Sequence, residues 1–326
     1  MNLLERLAAE HLQLARPRVV LVTPSYDTSR YVVGLVFDGS RLTAVLKTCR
    51  QPGDDSGLRR EAANLARLQQ LGAGDDAPRP LALLAVGDCT GLLESALPGR
   101  PLGPERVRAD RDLLVRTGTA LVERLPVTGT HPSTWYDDLV AAPVEALRTA
   151  FPGLVDDLVG PTHDALATLR DARLPAVFEH GDLSHPNLLL AAPERLGAVD
   201  WERSVEHGLP GHDLTYLLAY AAEAQAGAAT LPERMAAIAG AVVDDAGWAR
   251  PVLAAHLSRR GVDPTLMDAL LLATAARGAA RLAAGLVGTR TPDDEERLAL
   301  ARRDRDVVLW RLLLDRGSPV ADLPSR

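Results

Sequence analysis

Residues 178–190 read FEHGDLSHPNLLL, and GAVDWE follows at 197–202. Asp182 stands five residues before Asn187, and Asp200 comes thirteen residues after that asparagine. The apolar flanks read as two short buried strands, and a loop between strands has little structural need for His180, Asp182, His185, Asn187 and Asp200 together. Asp and Asn oxygens suit a hard cation such as Mg²⁺, which prefers oxygen ligands and keeps several waters. A separate carboxylate can accept or align the proton of an attacking hydroxyl. These are the groups that phosphoryl transfer from a nucleotide asks of a protein, which must hold the phosphates, neutralise their charge and orient the hydroxyl. A lysine must also reach the phosphates, with a buried glutamate to hold it. Lys47, in RLTAVLKTCR, is the one lysine among thirty-six basic residues. A chain that writes Arg everywhere else specifies a compact ammonium here, because a guanidinium differs in size and geometry. Glu61 comes next, in REAANLARL.

The elements that must position these groups can be read from periodicity. MNLLERLAAEHLQLARPR, with Glu5 and Glu10 inside its apolar stretch, reads as an amphipathic helix and not a secretory signal. RPRVVLVTP, RYVVGLVFD and RLTAVLKT read as three strands, and Asp38-Gly39 marks a hairpin turn. SGLRREAANLARLQQLG has apolar residues at helical spacing before Gly72. PLALLAVGD and TGLLESAL read as two more strands, LPGRPLGP as a break, and most of the remaining chain as helix. PDDEERLALARRDRDVVLWRLLLDRG reads as one long helix with Thr291 as its N-cap. The expected class is α+β and bilobal. A small N-terminal lobe over residues 1–97, a five-stranded antiparallel sheet plus helix, is joined through a hinge near 94–99 to a larger, mainly helical lobe over 98–326.

Asp182 with Asn187 fits D-x-x-x-x-N, Asp200 ends an apolar strand, and Lys47 lies in AVLK on the third strand. HGDLSHPN, VDWE and GLPGHDLTYLL, in that order, resemble the aminoglycoside phosphotransferase family, small-molecule kinases related to protein kinases. The resemblance implies the kinase-like bilobal fold and a set of roles. Asp182 would be the catalytic base, Asn187 and Asp200 would bind Mg²⁺, and Lys47 would meet the α- and β-phosphates of ATP or GTP with Glu61 as its partner. Backbone groups around Glu94, Ser95 and Ala96 would meet the base, and Asp213 would buttress the loop. The turn TPSYDTSRY, which should cover the phosphates, has no glycine; Ser25, Thr28 and Ser29 stand in as donors, and Asp27 would have to point away or pair with Arg30.

Composition narrows the partners. A net charge of −7 argues against a general nucleic-acid binder, and no apolar run is long enough to span a membrane. Two cysteines are too few for a disulfide framework, so a cytoplasmic setting is expected. Residues 1–97 carry eleven basic and eleven acidic side chains, so the whole acidic excess lies beyond them. That excess would suit a polycationic aminosugar antibiotic, with Glu202, Glu206, Asp137 and Asp138 as candidate contacts, or be an ordinary solvated face. Choline, homoserine, a sugar, a macrolide or a nucleoside-type acceptor stays open, with Trp135, Tyr136 and Trp201 as candidate stacking surfaces. Two other classes are a non-catalytic nucleotide-binding pseudokinase and a metal-dependent hydrolase built on His180, Asp182, His185 and Asp200.

Overall fold

The computed structural model describes residues 2–22, 30–191, 194–284 and 294–315. Five strands make the front sheet: β1 (Arg18–Val22), β2 (Tyr31–Asp38), β3 (Arg41–Cys49), β4 (Pro80–Val86) and β5 (Cys89–Ser95), in the order β1-β2-β3-β5-β4. Every pairing is antiparallel. Helix α1 (Leu3–Leu12) covers one face, where Ala8 packs on Val36, Ala44, Leu46 and Leu93. Helix α2 (Ser56–Gln70) covers the other, where Leu58 meets Tyr31, Cys49 and Leu92. Because successive strand residues point to opposite faces, Leu46 turning toward α1 forces Lys47 toward α2. On α2 the buried residues Leu58, Glu61, Leu65 and Leu68 recur at three- and four-residue spacing, so Glu61 shares the apolar stripe that meets the sheet.

The rear lobe is helical, with two three-stranded sheets that the sequence barely signals. One runs β10 (Arg195–Ala198), β9 (Leu188–Ala191), β6 (Arg100–Pro101); the other β11 (Val205–Gly208), β8 (Pro175–Glu179), β7 (Val127–Thr130). These strands have two to five residues, too short to show a clear alternation. Around them pack α3 (Pro104–Ala109), α4 (Arg111–Arg124), α5 (Ala142–Ala150), α6 (Asp156–Ala165), α7 (Ala167–Arg170), α8 (His212–Ala226), α9 (Leu231–Ile238), α10 (Arg250–Arg259), α11 (Met267–Ala280), α12 (Asp294–Arg302) and α13 (Arg305–Leu314). Helices α8 and α11 are buried nearly all round and form the centre of the main core.

The long helix expected from PDDEE onward is two helices. Asp304 breaks it by leaving the helical conformation and accepting the amides of Asp306 and Val307, which caps α13. Thr291, its expected cap, lies outside the described residues. No helix among the described residues is long and apolar enough to cross a membrane.

Candidate active site

Residues 178–190 run from β8 into β9. His180, in the turn between them, is fully buried. Its backbone amide and that of Gly181 donate to the two oxygens of Asp213 at 2.7 and 2.9 Å. Asp213 sits in the first turn of α8, and desolvation by burial pushes its carboxyl up to about 7 despite those two amides. Gly181 has φ of +83°, a conformation glycine adopts without strain, and a Cβ there would lie 2.2 Å from the Arg203 carbonyl oxygen. Its own carbonyl accepts from the Arg281 guanidinium. Asp182 thus enters the site on a loop fixed from three sides.

His180 does not act as a ligand. Its Nε2 meets the Val199 carbonyl at 3.0 Å and its Nδ1 lies 3.3 Å from the Asp182 amide, so both ring nitrogens serve the backbone. Burial holds it below histidine's ordinary value, hence neutral. No cluster of three or more metal-ligating His, Cys, Asp or Glu is formed among the described residues, and His180, one of the four groups named for a hydrolase, is committed to the backbone.

Asn187 donates its side-chain amide to the Asp182 carbonyl at 2.9 Å, which leaves its Oδ1 for a cation. Its own carbonyl receives the Val199 amide at 3.0 Å, tying it to the residue before Asp200. Asp200 has φ of +71°, rare for a residue with a Cβ and characteristic of functional sites. The turn after it, 201–203, is stapled to α2. Trp201 donates its amide to Glu61 at 3.0 Å, and Asn64 donates to the Trp201 carbonyl at 2.9 Å.

Lys47 is the meeting point. Its ammonium lies 2.6 Å from Glu61, 3.6 Å from Glu94 and 3.8 Å from Asp200. Burial works against its charge, yet the combined attraction of Glu94, Glu61 and Asp200 raises it well above lysine's ordinary value. Glu61 is completely buried, and desolvation raises it in spite of Lys47. Three acids surround one cation, with Glu61 and Glu94 each keeping one oxygen that has no hydrogen-bond partner.

Glu94 does something the sequence reading missed. Alternation along β5 places it on the same face as Leu92, toward α2 and Lys47, a signal that was available in TGLLESAL. Desolvation by burial, joined by the charges of Glu61 and Asp200, overcomes Lys47 and pushes its carboxyl up to about 8. The Ser95 amide donates to Arg79 O at 2.9 Å and the Ala96 amide to Thr43 O at 3.1 Å. Those two amides are therefore spent within the sheet and not open to a base. Ser29 lies outside the described residues, as do Ser25, Asp27 and Thr28. Of the acids considered for a cationic acceptor, Glu202 is bonded by Tyr31 at 2.8 Å, Glu206 by Arg67 at 2.6 Å and Asp138 by Thr134 at 2.9 Å; Asp137 is exposed. Trp135, Tyr136 and Trp201 are core residues with at most 4% exposure, so none offers a stacking surface.

A comparison with curated proteins finds no match. The fold is that of solved kinases of small molecules. Aminoglycoside phosphotransferase APH(4)-Ia superposes with a TM-score of 0.60 at 11% identity, over 97% of this chain and 99% of that one. APH(2")-IIa, in a ternary complex with streptomycin and ATP, gives 0.55 at 12% identity, over 95% and 99%. Choline kinase LicA from Streptococcus pneumoniae gives 0.54 at 12% identity, over 94% and 97%. The family model described as the phosphotransferase enzyme family (APH) matches residues 19–256, nearly three-quarters of the chain. The chain therefore belongs to the APH phosphotransferase family of small-molecule kinases.

Proposed function

We propose that the protein moves the γ-phosphate of ATP or GTP to a hydroxyl of a small molecule, with Lys47, Glu61, Asp182, Asn187 and Asp200 as its working set. The observation that carries this reading is the convergence on Lys47. A front-sheet ammonium stands 2.6 Å from the glutamate that orients it and 3.8 Å from an aspartate of the rear lobe. Lys47 would hold phosphate oxygens, and Asn187 Oδ1 with Asp200 would hold Mg²⁺. Two protein oxygens and no histidine suit an ion that keeps several waters. When bound, that ion neutralises charge on the phosphates. Asp182 takes the proton of the acceptor hydroxyl as its oxygen bonds the γ-phosphorus and the bond to the nucleoside diphosphate breaks.

The two lobes divide, on this reading, at 94–99. The Ala96 amide makes the last bond to the front sheet, and Arg100 already pairs with Leu190 of β9. The structural relatives include antibiotic and choline kinases, so both an antibiotic-inactivating and a metabolic use are compatible with the site. A screen across antibiotic classes and common metabolites, read as the mass gain of one phosphate, identifies the acceptor. Asp182→Ala then lowers turnover by about 10²–10⁴-fold, the usual contribution of a positioned acid or base, while Mg²⁺-nucleotide binding survives. Turnover at the wild-type rate in that variant removes Asp182 from the mechanism. Nucleotide binding by wild type without turnover on any acceptor leaves the pseudokinase in its place.

A further inference from the structure

A cleft of about 940 Å³, open to solvent, has Asp200 in its wall. Its walls carry both signs of charge; Asp200 faces Lys47 at 3.8 Å, and each of the other acids has a hydrogen-bond partner. Glu202 accepts from Tyr31 and Asp138 from Thr134, Arg277 binds both oxygens of Glu179, and Arg305 holds Asp306 at 2.9 Å. Asp304 is the cap of α13.

The cations around Asp182 are placed differently. Arg203 also lines the cleft, is exposed over 45% of its side chain, and reaches toward Asp182 itself at 3.9 Å. Arg281 lines it too, lies 4.9 Å over the Tyr216 ring and donates to the carbonyl of Gly181, the residue before Asp182. Arg60 lines the same cleft, and no carboxylate lies within ion-pair range of it among the described residues. A guanidinium offers paired donors that match carboxylate and phosphate oxygens, and it gives up hydration more readily than an ammonium. A polycation would have to bring its ammonium groups past two guanidinium groups beside the proton acceptor, which like-charge repulsion opposes.

We propose that the acceptor carries, besides the hydroxyl that is phosphorylated, an anionic group, a carboxylate or a phosphate monoester, seated on Arg203 with the guanidinium of Arg281 adding to the field. This rests on the kinase reading above. The anionic group itself does not react; it turns the hydroxyl toward Asp182 and holds Arg203 off that carboxylate.

The test has two stages, both by calorimetry. The protein is first saturated with Mg²⁺ and the β,γ-methylene analogue of ATP, which fills the nucleotide site. Failure of both this analogue and its GTP counterpart to bind overturns the kinase reading, and the inference with it. The saturated protein is then titrated with two matched series. Gluconate, glucose and glucosamine differ in a carboxylate or an amine; glycerol 3-phosphate, glycerol and 3-amino-1,2-propanediol differ in a phosphate or an amine. An anionic member of one series binds about ten-fold or more tighter than its neutral partner, with the amine weakest. The series in which this happens identifies the anion as carboxylate or phosphate. Arg203→Ala brings the anion down to the neutral level, and Arg203→Lys restores part of the difference. The inference fails if anions bind no better than neutral partners or do not bind at all, if the amines lead, or if Arg203→Ala keeps the ranking. It also fails if that variant weakens the nucleotide stage equally, which would assign Arg203 to the phosphates.

Discussion

Three carboxylates on one ammonium make an unusual set, because a triphosphate must approach the same cation. Glu61 and Asp200 have evident tasks; Glu94, 3.6 Å from Lys47 and 2% exposed, adds negative charge where anions must bind. Its carboxyl, pushed up to about 8 by burial and by its acidic neighbours, resolves the conflict, since at neutral pH it keeps its proton. The protonated form favours nucleotide, so affinity is full below about 8 and is lost as pH rises through that value. Mg²⁺-nucleotide dissociation constants measured between about pH 6.5 and 9.5 should rise by about ten-fold for each unit that ionisation must be reversed. Glu94→Gln keeps the shape without the titration and flattens the profile; an unchanged slope in that variant sinks the assignment. Lys47 and Glu61 were legible because their types are rare or paired at known places. Glu94 was not, because reading it as a backbone contact ignored which way β5 turns its side chain.

At the level of elements, the loop between β8 and β9 and the turn after β10 form one unit. Gly181 presses on the Arg203 carbonyl, Trp201 and Asn64 tie the turn to α2, and Asp213 anchors the loop from α8. Gly181→Ala attacks that unit at one point. A positive φ costs an L-residue about 1–2 kcal/mol, and the methyl would sit 2.2 Å from a backbone oxygen that no rotamer change can move. Urea unfolding should show a loss of about 2 kcal/mol or more, and any folded fraction should turn over more slowly with its Asp182 displaced. Stability within a few tenths of wild type would mean the contact relaxes freely. HGDLSHPN contains Gly181 without giving its reason, which is the approach of residue 203 across the fold. The five front strands and α2 were read from alternation and helical period, and β8, β9 and β10 from their apolar runs, whereas β6, β7 and β11 are too short to carry a period at all. The break at Asp304 was missed because a cap can sit inside a run of helix formers when its side chain accepts the next amides.

Across the whole molecule, burial has shifted titratable groups in both directions, and their balance sets the response to acid. His212 and His256 are held down, to about 3 and about 4, by burial that outweighs the nearby Glu179 and Glu123. Each refuses a proton that the unfolded chain takes below its ordinary 6.5, so each costs stability as pH falls from there. Asp213, Asp304 and Glu94 are raised, to about 7, about 6 and about 8, all chiefly by desolvation. Each keeps a proton that the unfolded chain loses above about 4, so each adds stability as pH falls toward that value. Every group contributes about 1.4 kcal/mol per pH unit within its own window. Glu61, also raised by burial, joins the acids, while His131, His180 and His185, also held down by burial, join the other two histidines, so that between about pH 6.5 and 4.5 the two sets come near to balance. Below about 4 the raised acids gain nothing more, while His212 keeps losing down to about 3. Glu179 joins it there: Arg277 and His212 overcome its burial and hold it at about 2, so its contribution is lost between its ordinary 4.5 and that value. The expected melting profile is level from about pH 6.5 to 4.5 and falls steeply below 4. Asp213→Asn removes one rising contribution and leaves the histidines less opposed, so its profile should already slope downward between about pH 6.5 and 4.5. A level profile in that variant would mean that Asp213 is ionised in the folded protein and that its two amide bonds outweigh its burial.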